Sequence, residues 1–157
     1  MRITTRPVES DEDAKRVFTS LIDAYQEVAR VEGDANKAFI EVYHSVKNEA
    51  VFIAEDETGA IVGSCCIYDV PGGFFYGAGG FFSEKWLHVS PAHRDGAVLR
   101  ALLVEVATLC DHMGQPAFLR IFNPKRRHSQ SHIARVAEDL CYYPAGAVIQ
   151  VSPRKAS

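Results

Sequence analysis

The sequence predicts an α/β domain: a mixed, mainly antiparallel sheet flanked by helices on both sides, in the order β-α-α-β-β-β-α-β-α-β. Two observations carry this. In four segments apolar residues recur every three or four positions, the spacing of a helix with one buried face. Between these segments lie runs rich in Val, Ile, Phe and Tyr, bounded by Gly, Pro, Asn and Asp, which read as strands. The strands cluster in the middle while helices separate the rest, and that interleaving favours a mixed sheet covered by helices.

Arg2 to Val8 reads as a short edge strand containing Pro7. Ser10 then caps a helix whose first turn holds Asp11, Glu12 and Asp13, where the helix dipole favours negative charge. Its apolar stripe is Val17, Phe18, Leu21, Ile22, Tyr25 and Val28, and Gly33 breaks it. A second helix carries Phe39, Val42, Tyr43 and Val46 on one face. Val51 to Ala54 and Ile61 to Tyr68 form a hairpin through the turn Asp56-Glu57-Thr58-Gly59. Gly-Gly-Phe-Phe occurs twice, at 72–75 and 79–82, reading as two strand ends around a flexible turn. Phe81 to Val89 is the next strand, Pro91 to Gly96 a turn, and Ala97 to Met113 a helix. That helix buries Leu99, Leu102, Leu103, Val106, Leu109 and Cys110 and stops at Gly114. Ala117 to Phe122 is a strand; a last helix turns Ile133, Val136, Ala137 and Leu140 inward; Tyr142 to Val151 is one strand or a broken pair.

With 157 residues the chain fits one domain, residues 1–157, large enough to fold without disulfides. Its four cysteines have no zinc spacing, so no metal site is expected and they read as core residues of a reducing compartment. A net charge of −3 argues against a nucleic-acid partner. No apolar run approaches the ~20 residues of a membrane span, and the N-terminus lacks an apolar leader. The expected location is cytoplasmic.

The segment Trp86-Leu87-His88-Val89-Ser90-Pro91-Ala92-His93-Arg94-Asp95-Gly96-Ala97-Val98-Leu99 runs from strand through turn into helix. Free amides at such a helix start, aided by the dipole, favour a phosphate or pyrophosphate. Arg94 adds a charged donor, and Gly96 permits close approach to the backbone. An ordinary strand–helix connection with a surface arginine is the plainer reading of the same residues. The segment resembles motif A of the GCN5-related N-acetyltransferases, the GNAT family, in which Val-x-Pro-x-x-Arg leads into a glycine loop and a Leu-Leu helix. Val89, Pro91, Arg94, Leu102 and Leu103 fall on that pattern, and the resemblance extends over nearly the whole chain. It includes the Glu-Asp-Glu-Thr-Gly hairpin before Ile61-Val62-Gly63.

The resemblance implies the GNAT fold and acetyl-CoA as co-substrate. Leu87, His88, Val89, Arg94, Asp95, Gly96, Ala97, Val98 and Leu99 would hold it. It implies acetyl transfer to an amine acceptor. Two departures are plain: Ala97 and Leu99 stand where the pattern has glycine or a small residue, and Ala137 stands where members carry the tyrosine that protonates the leaving thiolate. Tyr142 is the nearby donor candidate and Glu84 the base candidate, although Glu84 on a strand also reads as a solvated edge charge. The run Lys125-Arg126-Arg127 fits either a 3′-phosphate contact or a solvated loop. Phe74, Phe75, Tyr76, Phe81, Phe82 and Trp86 exceed what one face can bury, so some are expected in an acceptor pocket or a homo-oligomer contact. His93 and His112 read as surface residues. The competing reading is a catalytically inactive GNAT-fold binding or structural subunit, of a kind that bacteriophage and bacterial genomes contain.

The departures make the loop testable. Replacing Ala97→Gly and Leu99→Gly together should tighten acetyl-CoA binding by isothermal titration if side-chain bulk obstructs the pyrophosphate. Each glycine should cost about 1 kcal/mol of stability; unchanged affinity in a folded double variant rules bulk out.

Overall fold

The computed structural model describes residues 2–28, 34–72, 79–120, 143–145 and 148–151. The elements are β1 (Thr4–Pro7), α1 (Asp11–Val28), α2 (Ala35–Asn48), β2 (Ala50–Glu55), β3 (Ile61–Val70), β4 (Phe81–Val89), α3 (Ala97–Met113), β5 (Ala117–Arg120), β6 (Tyr143–Ala145) and β7 (Val148–Val151). A 3-10 turn, Pro91–His93, precedes α3. The strand order is β1-β2-β3-β4-β5-β7-β6. The sheet is mixed: β4 and β5 run parallel, whereas β1/β2, β5/β7 and β6/β7 are antiparallel. The expected final helix, the basic run 125–127, Ala137 and Tyr142 lie outside the described residues, as do Phe74, Phe75 and Tyr76.

By contacts the chain divides into two compact units, Met1–Cys66 with Trp86–Leu102, and Ile67–Lys85 with Leu103–Ser157. The first has its own core. Val8, Val17, Val42, Val51, Ile53 and Cys66 are buried together, with Phe18, Leu21, Val46, Ile61 and Trp86 packed against them. Helix α1 starts where Ser10 Oγ accepts from the Asp13 amide at 3.0 Å, and α2 where Asp34 Oδ1 accepts from Asn36 and Lys37. The two helices meet through Phe18 and Phe39, edge to face at 5.3 Å. The β2–β3 turn is closed by Asp56, whose Oδ1 accepts from the Thr58 amide, the Thr58 hydroxyl and the Ala60 amide. Those Thr58 bonds hold the Asp56 carboxyl below its usual pKa. Gly59 at φ 79° completes the turn.

β1 is shorter than the Arg2–Val8 run suggests, although Val8 still donates to Val51 O at 2.8 Å. It is clamped by charge. Arg6 forks onto Asp13, Nη1 and Nη2 donating to the two carboxylate oxygens at 2.7 and 2.8 Å, while its Nε donates to Glu55 at 3.0 Å. Arg16 bridges the same two acids, at 3.2 Å to Asp13 and 2.7 Å to Glu55, and also donates to Gly59 O. Bidentate geometry with two arginines and two acids is the arrangement in which partly buried ion pairs contribute to stability. The Arg6 guanidinium pulls the Asp13 carboxyl down to about 2. For Glu55, burial pushes the other way, but the hydrogen bonds from Arg6 and Arg16 outweigh it and leave its pKa lowered.

In the second unit, β4 and β5 pair with Phe82 opposite Ala117 and Ser83 opposite Phe118. Phe81 and Phe118 stack edge to face at 5.2 Å. Gly80 has no room for a side chain, because a Cβ there would stand 2.5 Å from Val70 O and 3.1 Å from Gly72 N. The second Gly-Gly-Phe-Phe copy thus owes its glycine to backbone contact. Helix α3 matches its expected span and ends at Gly114, φ 67°, whose amide bonds Cys110 O. Its buried stripe is Val98, Leu102, Leu103, Val106, Ala107 and Cys110, with Leu99 and Leu109 only half-buried at the margins. Burial pushes the Cys110 thiol up to about 12, so it is an inert core residue; Cys65 and Cys66 are likewise buried and free. No helix among the described residues is long and apolar enough to cross a membrane.

The charge clamp has a pH signature. Asp13 titrates near 2 in the folded chain against 3.8 for the free group, so its contribution is complete above about pH 4 and is lost as pH falls toward 2. Asp13→Asn should lower stability at pH 7 by about 1–2 kcal/mol and flatten the stability curve between pH 4 and 2. Denaturant titrations across that range read both effects.

Candidate functional site at the β4–α3 turn

The turn from β4 into α3 is built within the first unit. The last residues of β4, Leu87, His88 and Val89, are half-buried, and the Ser90 amide still bonds Val62 O on β3 at 2.9 Å. Pro91 fixes the first position of the 3-10 turn, which the His93 amide closes onto Ser90 O. Arg94 then folds back, its Nε donating to Val89 O at 3.0 Å across the turn. Gly96 takes φ 103°, a conformation that a residue with a side chain adopts only under strain. The first intrahelical bond is Arg100 N–H to Gly96 O.

The amides of Ala97, Val98 and Leu99 therefore precede the helical ladder. Ala97's is taken: Asp95 Oδ1 accepts it at 3.0 Å. Asp95, one of the residues expected to hold the ligand, gives its carboxylate a capping bond at the helix start. Its negative charge suits the helix dipole and opposes an anion in the same place. Val98 was also expected at the cofactor, yet its side chain is wholly buried, so only its backbone can reach a ligand. Ala97 is exposed and Leu99 half-buried.

This helix start packs closely on β3 at Gly63. A Cβ at residue 63 would stand 2.5 Å from Val98 Cγ1, 3.2 Å from Leu102 Cδ1 and 3.1 Å from His88 O. Sequence reading used Gly63 only as part of an Ile-Val-Gly string. The signal available was a glycine inside a strand pattern, which marks close approach of a neighbour. One position on, Ser64 Oγ accepts from Trp86 Nε1 at 3.2 Å, which satisfies the indole as its ring joins the core.

Two residues depart from expectation in exposure. Glu84 is buried at 5 %, not a solvated edge charge, because it lies on the inner face of β4. His93 is half-buried and its Nδ1 is enclosed with no hydrogen-bond partner among the described residues. His112 is exposed, as expected. Among the described residues no group of three or more His, Cys, Asp or Glu side chains could hold a metal ion.

No protein-family model matches the chain, and no curated protein matches it in sequence. Solved structures match it over its whole length. A phosphinothricin acetyltransferase of the GNAT superfamily from Sinorhizobium meliloti, in complex with acetyl-CoA, superposes at TM-score 0.72 with 17% identity, covering 100% of this chain and 91% of that one. A structure from Corynebacterium glutamicum described as histone acetyltransferase HPA2 and related acetyltransferase gives 0.69 at 15% identity, covering 100% and 99%. The chain has the GNAT fold. A GNAT family acetyltransferase from Brucella melitensis, also bound to acetyl-CoA, gives 0.65 at 14% identity over 99% and 91%. At these identities the likeness is one of GNAT architecture, and the loop chemistry has to be argued from this chain's own residues.

Gly96→Ala tests the turn itself. The strained φ should cost about 1–3 kcal/mol, seen as a lower thermal midpoint with the far-ultraviolet spectrum unchanged. A neutral result means that the turn adopts another conformation.

Proposed function

We propose that this chain binds acetyl-CoA at the β4–α3 turn and transfers the acetyl group to an amine. The supporting observation is the turn's backbone: a strand end, an Arg94 clamp and a glycine at positive φ deliver the Val98 and Leu99 amides ahead of the helical ladder. That arrangement suits a pyrophosphate, with the backbone of Leu87, His88 and Val89 beside the pantetheine arm, and with Arg94, Gly96, Ala97, Val98 and Leu99 at the phosphates. Structural neighbours crystallised with acetyl-CoA support the same ligand. The domain is proposed to act as one unit, residues 1–157, in the cytoplasm, on a small-molecule or peptide amine.

Transfer requires that the amine lose a proton, that its nitrogen bond to the thioester carbon, and that the departing sulfur gain a proton. Glu84 is the proposed base and Tyr142 the proposed donor. Glu84 is buried on β4, the strand that leads into the turn. With Ala137 at the usual tyrosine position, turnover is expected to be slow.

Asp95 favours a second reading, a GNAT-fold subunit that binds a partner without catalysis. Its carboxylate occupies one of the three leading amides and places a negative charge where the pyrophosphate would sit.

Isothermal titration with acetyl-CoA separates the two. Under the first reading wild type binds, Arg94→Ala weakens binding by about 1.5–3 kcal/mol, and Asp95→Asn, which keeps the capping bond and removes the charge, tightens it about two- to fivefold. Absence of binding in both wild type and Asp95→Asn would leave only the second reading.

A further inference from the structure

We infer that Gly63 is a positioning residue for the acetyl-CoA site: by lacking a side chain it sets the depth at which the first turn of α3 rests on β3. The inference builds on the proposed ligand, but its geometry stands apart from it. Position 63 faces Val98 and Leu102, the inward residues of the first two turns of α3, and both are fully buried. A methyl group there would overlap Val98 Cγ1 at 2.5 Å, well inside contact distance, and would also press on Leu102 Cδ1 and His88 O. The strand cannot retreat easily, since the adjacent Val62 O holds the Ser90 amide and the adjacent Ser64 holds Trp86. The helix is the part that must yield.

Yielding would move the leading amides. Val98 supplies both the side chain in the tight contact and one of the amides offered to the phosphates. Leu99 follows directly. A displacement of a few tenths of an ångström in Val98 therefore reaches the anion-binding amides without passing through any other residue. Interiors packed at crystal density transmit such shifts instead of absorbing them. Val98 sits at the helix start, where Arg100 N to Gly96 O is the first rung holding it, so the strain is released there first.

The test uses the full chain. Gly63→Ala should weaken acetyl-CoA binding at least tenfold, measured by isothermal titration below its melting temperature. Gly63→Ala combined with Val98→Ala, which removes the opposing methyl groups, should recover affinity to within about threefold of Val98→Ala alone. A purely structural role would instead lower the melting temperature while leaving the dissociation constant of the folded variant unchanged. Should Gly63→Ala not fold, Val98→Ile presses on the same gap from the helix side and should show the same loss.

Amide hydrogen exchange keeps the inference separate from the choice of ligand. In the ligand-free protein, Gly63→Ala should speed exchange at residues 100–102, the first hydrogen-bonded amides of α3, relative to 106–110, and the double variant should reverse it. If wild type fails to bind acetyl-CoA while exchange responds in this way, the ligand assignment falls and the positioning role stands. Unchanged exchange, or a binding loss that the double variant does not recover, overturns the positioning role.

Discussion

A side chain at position 63 would have to occupy space that Val98 and Leu102 already fill, and much of the first unit is arranged around that contact. The bond from Ser90 to Val62 O ties the end of β4 to β3 one residue before the glycine, and the bond from Trp86 to Ser64 ties it one residue after. Strand register and helix seating are thus set over the same three residues. The turn between them has little freedom: Pro91 restricts φ, Arg94 reaches back to Val89 O, and Gly96 reverses the chain into the helix. Each of these features alone occurs in ordinary strand–helix connections. Together they hold a helix start in one place, which an anion site requires.

Charge acts in opposite senses at the two ends of this unit. At the β1–α1 end, two arginines and two acids satisfy one another, and the lowered pKa values of Asp13 and Glu55 mean that folding favours their ionised forms. At the β4–α3 turn, Asp95 stabilises the helix by the same physics, a carboxylate near a partial positive charge, worth about 0.3–1 kcal/mol. The field that favours Asp95 is the field that a pyrophosphate would use. A helix start that is capped by its own chain offers less to a ligand, and here the cap takes one of the three leading amides.

Much of this was readable in the residues. β4 and α3 have the spans that alternation, Gly96 and Gly114 indicate, because strong periodicity there coincides with unambiguous stops. The order of the elements from β1 to β5 and the β2–β3 turn were legible for the same reason. Less legible was which way a residue faces when two neighbours are both apolar. Leu99 and Val98 each fit a helical stripe, and only the packing on Gly63 decides that Val98 goes in and Leu99 to the margin. Glu84 offered two readings, base candidate and solvated edge charge, and it is buried with Phe82 on the same side of β4. Asp95 presents a different difficulty. A carboxylate two residues ahead of a helix reads equally as cap or ligand contact, and the 3.0 Å bond to Ala97 shows the cap.

Leu99 shows why the loop differs from the glycine-rich pattern without losing its fold. A half-buried leucine in the first turn of α3 adds apolar contact and helix propensity at the point where the helix has fewest hydrogen bonds of its own. Asp95 adds a cap in the same place. Both residues strengthen the helix start, and Asp95 does so by claiming one of its leading amides. Asp95 and Leu99 therefore bear on both the stability of the turn and access to it. A chain that gains one gives up part of the other. The amides of Val98 and Leu99 also precede the helical ladder, and the Val98 side chain packs closely on Gly63.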